Sequence, residues 1–171
     1  MRIKHRTLLR TKELRQLRKK LEKVPSLEHK AIRESPSSKV QVERVVLDNK
    51  SELYFVGGEL WLVIQQDLIY PGLPALLSEH VQLPKVIVDM GAVSHIANGA
   101  DVMAPGIFDL DKSVVEGSLV VVIDQKNLMP LAVGRMLLSA ETILEINKGR
   151  AIDTLHYVGD PLWKLAKELS E

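Results

Sequence analysis

There is no cysteine in the 171 residues. Disulfide staples, thiolate metal sites, iron–sulfur clusters and cysteine nucleophiles are thereby excluded. Aromatic residues make up only 4% of the chain, and none is interleaved with Lys or Arg on one strand. The base-stacking sheet of an RNA-recognition motif, with aromatics on neighbouring strands, is therefore not available. No uninterrupted apolar run exceeds five residues, as at Leu119 to Ile123, whereas a membrane span needs about 20. The opening Met1-Arg2-Ile3-Lys4-His5 leads into no apolar segment of the kind a secretory signal carries, so a cytoplasmic protein with no membrane contact is expected. The five histidines (His5, His29, His80, His95 and His156) show no metal-ligand spacing. Phosphate-loop, dinucleotide and nucleophile-elbow glycine patterns are missing as well. Together these absences describe a binding protein that needs no metal and no organic cofactor.

What is present is an ordinary globular composition, 46% hydrophobic and 26% charged, enough for one domain or two small ones. The net charge of +1 hides an asymmetry. Residues 1–33 carry 12 Lys/Arg against Glu13, Glu22 and Glu28, a balance of +9, and the remainder carries −8. A basic end attached to an acidic body predicts a polyanionic partner for the basic end alone.

Periodicity divides the chain in two. Leu14, Leu17, Leu21 and Val24 recur at three- and four-residue spacing, which predicts an amphipathic helix whose other positions hold the cations Arg15, Arg18, Lys19, Lys20 and Lys23. Pro25 ends it, a short helix over 26–33 follows, and Ser35-Pro36-Ser37-Ser38 reads as a linker. Strands are predicted over 40–47, 51–56 and 59–65, the last two joined by a Gly57-Gly58 turn. Tyr70-Pro71-Gly72-Leu73-Pro74 reads as a loop before a short helix over 75–79, and the boundary falls near Leu83. Beyond it, strands are expected over 85–90, 102–104, 119–123, 131–136, 150–153 and 156–158. Short helices are expected after Asp89, over 140–147 behind the cap residue Ser139, and from Asp160 to Leu169. Many short strands closed by glycine turns suggest a small barrel-like sheet.

Asp89 ends one of these strands, where it is read first as a helix cap and only second as a general base. Trp61, Trp163, Met103 and Met136 lie in apolar patterns and read as packing residues. Gly91-Ala92 and Gly99-Ala100 flank one short helix, and Pro105-Gly106 closes the next strand. Missing side chains let a polynucleotide approach the main chain, with helix-start amides near Gly91 facing an anion; tight turns alone account for the same glycines.

The same residues carry a family resemblance. Gly91-Ala92 followed by Asn98-Gly99-Ala100-Asp101-Val102-Met103-Ala104-Pro105-Gly106-Ile107 resembles the hallmark of the PUA domain, an RNA-binding module. Glu116-Gly117-Ser118, Leu131 to Met136 and Lys148-Gly149-Arg150 follow in that domain's order across residues 84–158. Gly58-Glu59-Leu60, Tyr70-Pro71, Ser139-Ala140-Glu141 and His156-Tyr157 are similar to the malignant T-cell amplified sequence family, with its archaeal relatives and the equivalent part of ligatin. The resemblance implies an α+β protein: an N-terminal α/β pre-PUA domain over 1–83, then a PUA-type mixed β pseudo-barrel with short helices over 84–171. It implies no enzymatic activity, and work in translation through small-subunit rRNA and the 3′ end of tRNA. It also implies, as a possible partner, a protein with an initiation-factor-like domain (density-regulated protein). An RNA-binding accessory subunit of an RNA-modifying enzyme is the alternative. The positions matching the family's RNA site are Gly91, Ala92, Val93, Asn98, Gly99, Ala100, Met103, Ala104, Pro105 and Gly106. Arg135 on a neighbouring strand is added as a phosphate contact, and the five helix cations as the rRNA contact.

Overall fold

The computed structural model describes residues 1–24 and 41–170. The chain forms two compact units, Leu83–Trp163 and a first unit made of Met1–Gln82 with the residues from Lys164 onward. The predicted helix over 26–33, its boundary at Pro25 and the 35–38 linker lie outside the described residues.

The first unit is a five-stranded antiparallel sheet in sequential order. Its strands are β1 (Ile3–Leu8), β2 (Val42–Leu47), β3 (Glu52–Val56), β4 (Glu59–Gln65) and β5 (Leu68–Pro71), accompanied by helices α1 (Thr11–Leu21) and α2 (Leu73–Leu77). Gly57 and Gly58 both adopt positive φ, +58° and +83°, so the β3–β4 hairpin turns with the twist of its strands. Helix α1 buries Leu17 and Leu21, as its spacing predicts, and Glu13 folds back to accept from the Arg10 amide at 2.9 Å.

Two elements of this unit differ from the sequence expectation. Strand β1 is not signalled by alternation because all six of its residues are exposed. Backbone pairing to β2 holds it, with the Arg6 guanidinium gripping Glu43 through both carboxylate oxygens, at 2.5 and 3.0 Å. Tyr70-Pro71 is not loop but the end of β5, where Pro71 pairs with Leu62. β5 lies at the sheet's edge, and an edge strand tolerates a residue without an N–H.

The second unit holds six strands: β6 (Lys85–Val88), β7 (Val102–Met103), β8 (Ile107–Leu110), β9 (Leu119–Asp124), β10 (Pro130–Met136) and β11 (Arg150–Tyr157). They pair in the order β7-β11-β10-β9-β6-β8, antiparallel except for β6 beside β9. The two end strands, β7 and β8, are consecutive in the chain and joined by a single 3-10 turn, Ala104–Gly106. That short link draws the sheet's edges together, which is why the sheet is a nearly closed pseudo-barrel. Val86, Val88, Val120, Val122, Ala132 and Ile152 fill its core, and β9 is buried at every position.

Strand β8 is a further unforeseen element. A bulge opposite Ile87 and Val88 leaves Phe108 and Asp109 both exposed, which erases the alternation that would announce a strand. β11 is one strand where two are predicted. Gly134 faces Thr154 and Val133 faces His156, so Leu155 is the extra residue of a bulge within continuous pairing. His156 is fully buried and its Nδ1 lies 2.7 Å from Asp160 Oδ2.

Three helices complete the second half. Helix α3 (Met90–Ile96) starts at Asp89. Ser139 Oγ accepts from the Thr142 amide at 3.1 Å to begin α4 (Ala140–Ile146). Asp160 Oδ1 accepts from the Trp163 amide at 2.7 Å to begin α5 (Pro161–Ser170). Sequence pattern keeps all of α5 with the second unit, but the residues from Lys164 onward cluster with the first, where Ser170 Oγ donates to the Gly58 carbonyl at 2.6 Å. No helix among the described residues is long and apolar enough to cross a membrane.

Candidate nucleic-acid interface

Asp89 sets the site's geometry. Its Oδ1 accepts from the Ala92 amide at 2.9 Å, so it caps α3. The cap is the role read first for it in the sequence. The Asp89 carboxylate takes the Ala92 amide and places a negative charge at the start of the helix. The Asp89 amide in turn donates to the Gly106 carbonyl at 2.9 Å, tying the start of α3 to the 3-10 turn. A Cβ on Gly106 would stand 3.1 Å from Ala92 Cβ, so the missing side chain sets how closely turn and helix approach.

At the far end of α3 the chain reverses at Gly99, whose φ is +86° and whose amide donates to Ile96 at 2.9 Å. Asp101 follows and is pinned on two sides. Its Oδ1 accepts from the Thr154 amide at 2.8 Å and its Oδ2 from Arg150 Nη1 at 3.0 Å. β7 then pairs with β11, setting Met103 opposite Arg150.

Between α3 and the segment 100–106 lies an open groove of about 690 Å³. Ile96 and Val102 are its buried floor, and Gly91, His95, Ala100, Met103, Pro105 and Arg150 its exposed walls. Of the positions expected from sequence, Gly91, Ala92, Ala100, Met103, Pro105 and Gly106 line it. The other four matched positions and Arg135 do not. Ala104 is wholly buried and Val93 packs on the core. Asn98 turns its amide back onto the Ser94 carbonyl at 2.8 Å. Gly99 lies beneath the Tyr157 ring, and Arg135 is paired with Asp153 at 3.1 Å.

Asp89, His95, Ile96, Asp101, Val102 and Arg150 line the groove without having been singled out as RNA contacts. A local signal existed for His95 and Ile96, which fall three and four residues beyond Ala92 and so share its helix face. None existed for Arg150, which arrives through a strand pairing with a residue distant in sequence.

The basic residues of α1 belong to the other unit. Arg15, Lys19 and Lys20, with Lys23 just past the helix, are exposed, and Arg18 is half-buried. No cluster of three or more His, Asp or Glu able to hold a metal ion occurs among the described residues.

The PUA domain family matches residues 84–158, the stretch that contains the groove. An uncharacterized protein of Methanocaldococcus jannaschii is 36% identical over 95% of this chain and 98% of its own length. Translation machinery-associated protein 20 of Eremothecium gossypii is 32% identical over 94% of this chain and 92% of its own. A solved structure of a hypothetical protein from Pyrococcus horikoshii OT3 superposes with a TM-score of 0.77 at 31% identity, covering 95% of this chain and 99% of that one. With a pseudo-barrel of this topology and relatives this similar over nearly its whole length, the chain belongs to the PUA-domain family of translation machinery-associated protein 20 and the malignant T-cell-amplified sequence proteins.

Proposed function

We propose that this chain is a non-catalytic, cytoplasmic RNA-binding factor of the translation machinery. In this reading it seats the acceptor end of a tRNA in the α3 groove and docks on small-subunit rRNA through the cations of α1. The observation that carries it is the groove itself, an accessible ledge where Gly91, Ala100 and Pro105 stand with His95, Met103 and Arg150 around a buried apolar floor. Such a surface suits the unpaired bases and sugars of a single-stranded terminus, which meet small side chains and main chain without steric cost. The relatives' names support translation as the setting, and the charge asymmetry supports a second, electrostatic contact with RNA. A partner protein with an initiation-factor-like domain belongs to the same proposal.

The test places a large side chain where the ledge is bare and the backbone unstrained. Ala100→Trp is expected to weaken binding of full-length tRNA at least tenfold while leaving the thermal midpoint within a few degrees of wild type. Undiminished binding by that folded variant would reject the groove as the tRNA site. Co-purification with a catalytic RNA-modifying chain, in place of small ribosomal subunits, would favour the accessory-subunit alternative.

A further inference from the structure

An RNA terminus in the groove brings phosphates with it, and the groove offers them little. Two carboxylates, Asp89 and Asp101, line it, and the start of α3 is occupied by the first of these. Apart from His95, its one basic side chain among the described residues is Arg150. That guanidinium is not loose: its Nη1 donates to Asp101 Oδ2 at 3.0 Å, and Asp101 is itself fixed by the Thr154 amide at 2.8 Å. The Arg150 side chain is nevertheless 58% exposed, so the ion pair orients the fork without hiding it. A guanidinium carries five N–H donors, and one bond to Asp101 leaves others for a phosphate oxygen. Arg135 holds no such position, being paired with Asp153 and outside the groove lining.

We propose that Arg150, oriented by Asp101, is the single phosphate anchor of the groove. The terminal nucleotides are then held by base and ribose contact along the small-residue walls, with one backbone phosphate fixed at the Arg150 rim. The inference rests on the groove being the acceptor-end site. It adds a quantitative mark: the groove contributes one counterion-releasing contact, a log–log salt slope of about −0.7 for a single strand. The rest of the salt dependence belongs to α1.

The experiment measures binding of the full chain across a salt series to a tRNA transcript with its intact 3′ terminus and to one lacking the last three nucleotides. Wild type is expected to prefer the intact transcript. Arg150→Ala should lose about tenfold in affinity for it, flatten the salt slope by about 0.7 and leave the truncated transcript's binding unchanged. Arg150→Lys keeps the point charge without the fork, so it should retain the slope and lose part of the affinity. Lys126→Ala, in the exposed β9–β10 turn, should match wild type. If wild type prefers the intact terminus and Arg150→Ala behaves identically, the anchor is wrong and the groove assignment stands. If wild type does not distinguish the two transcripts, both fall.

Discussion

Glycines that look equivalent in the sequence have opposite jobs. Gly99 sits in the hallmark run beside Ala100, yet a Cβ there would stand 2.8 Å from the Tyr157 ring on a backbone with φ of +86°. Its bareness serves the fold. Ala100, one residue on, is exposed and lines the groove. Gly99→Ala should therefore destabilise the protein by about 1–3 kcal/mol, read from a denaturant midpoint, while the folded fraction keeps its RNA affinity. An unchanged midpoint would refute the structural role. Asp89 was readable in advance because an N-cap acts within three residues of itself. Arg150 was not, because its place in the groove depends on β11 pairing with β7, which sets it opposite Met103, a residue distant in sequence.

At the scale of the element, α1 carries two independent properties on two faces. Leu17 and Leu21 are buried, and Arg15, Lys19, Lys20 and the following Lys23 are exposed. Removing the segment would take core residues with it, so truncation cannot isolate the charge. Leu17→Ala should cost about 2–5 kcal/mol of stability, with little change in RNA affinity once folded. Replacing the four exposed cations with Gln should do the reverse. The fold is retained, co-sedimentation with small ribosomal subunits weakens, and its log–log salt slope becomes shallower by about 3. Salt-independent co-sedimentation would rule out an electrostatic dock. The helix was legible from its leucine spacing. β1 and β8 were not: β1 is exposed on both faces and β8 is bulged, so neither displays the alternation from which strands are read.

Across the whole molecule, acid sensitivity is written into aspartates that accept hydrogen bonds. Burial raises the Asp160 carboxyl, but His156 and the amides of Trp163 and Tyr157 outweigh it and leave it below the ordinary value. The Asn127 amide does most to lower Asp124, with burial opposing and Met129 assisting. Ser113 lowers Asp111 through its hydroxyl and its amide. A carboxyl depressed in the folded state contributes stability above its unfolded value, about 3.9, and loses it as pH falls through the folded one. Denaturant midpoints should therefore be level near neutrality and drop steadily below about pH 4. Asp124→Asn should flatten that drop. A midpoint insensitive to acid in both proteins would contradict the bonding described.

The linear pattern determined the properties that act over short distances: the cationic amphipathic helix, the glycine-turned strands, the caps at Asp89 and Ser139, and the ordered motifs that mark the family. Periodicity and capping report neighbours three or four residues away. Which small residues face open space was decided only when the sheet curled. The β10–β11 register set Arg135 against Asp153, the β7–β11 register brought Arg150 to the groove, the turn between β7 and β8 buried Ala104, and the end of β11 laid Tyr157 over Gly99. Those outcomes depend on pairings between residues far apart in the chain, and no local pattern carries that information.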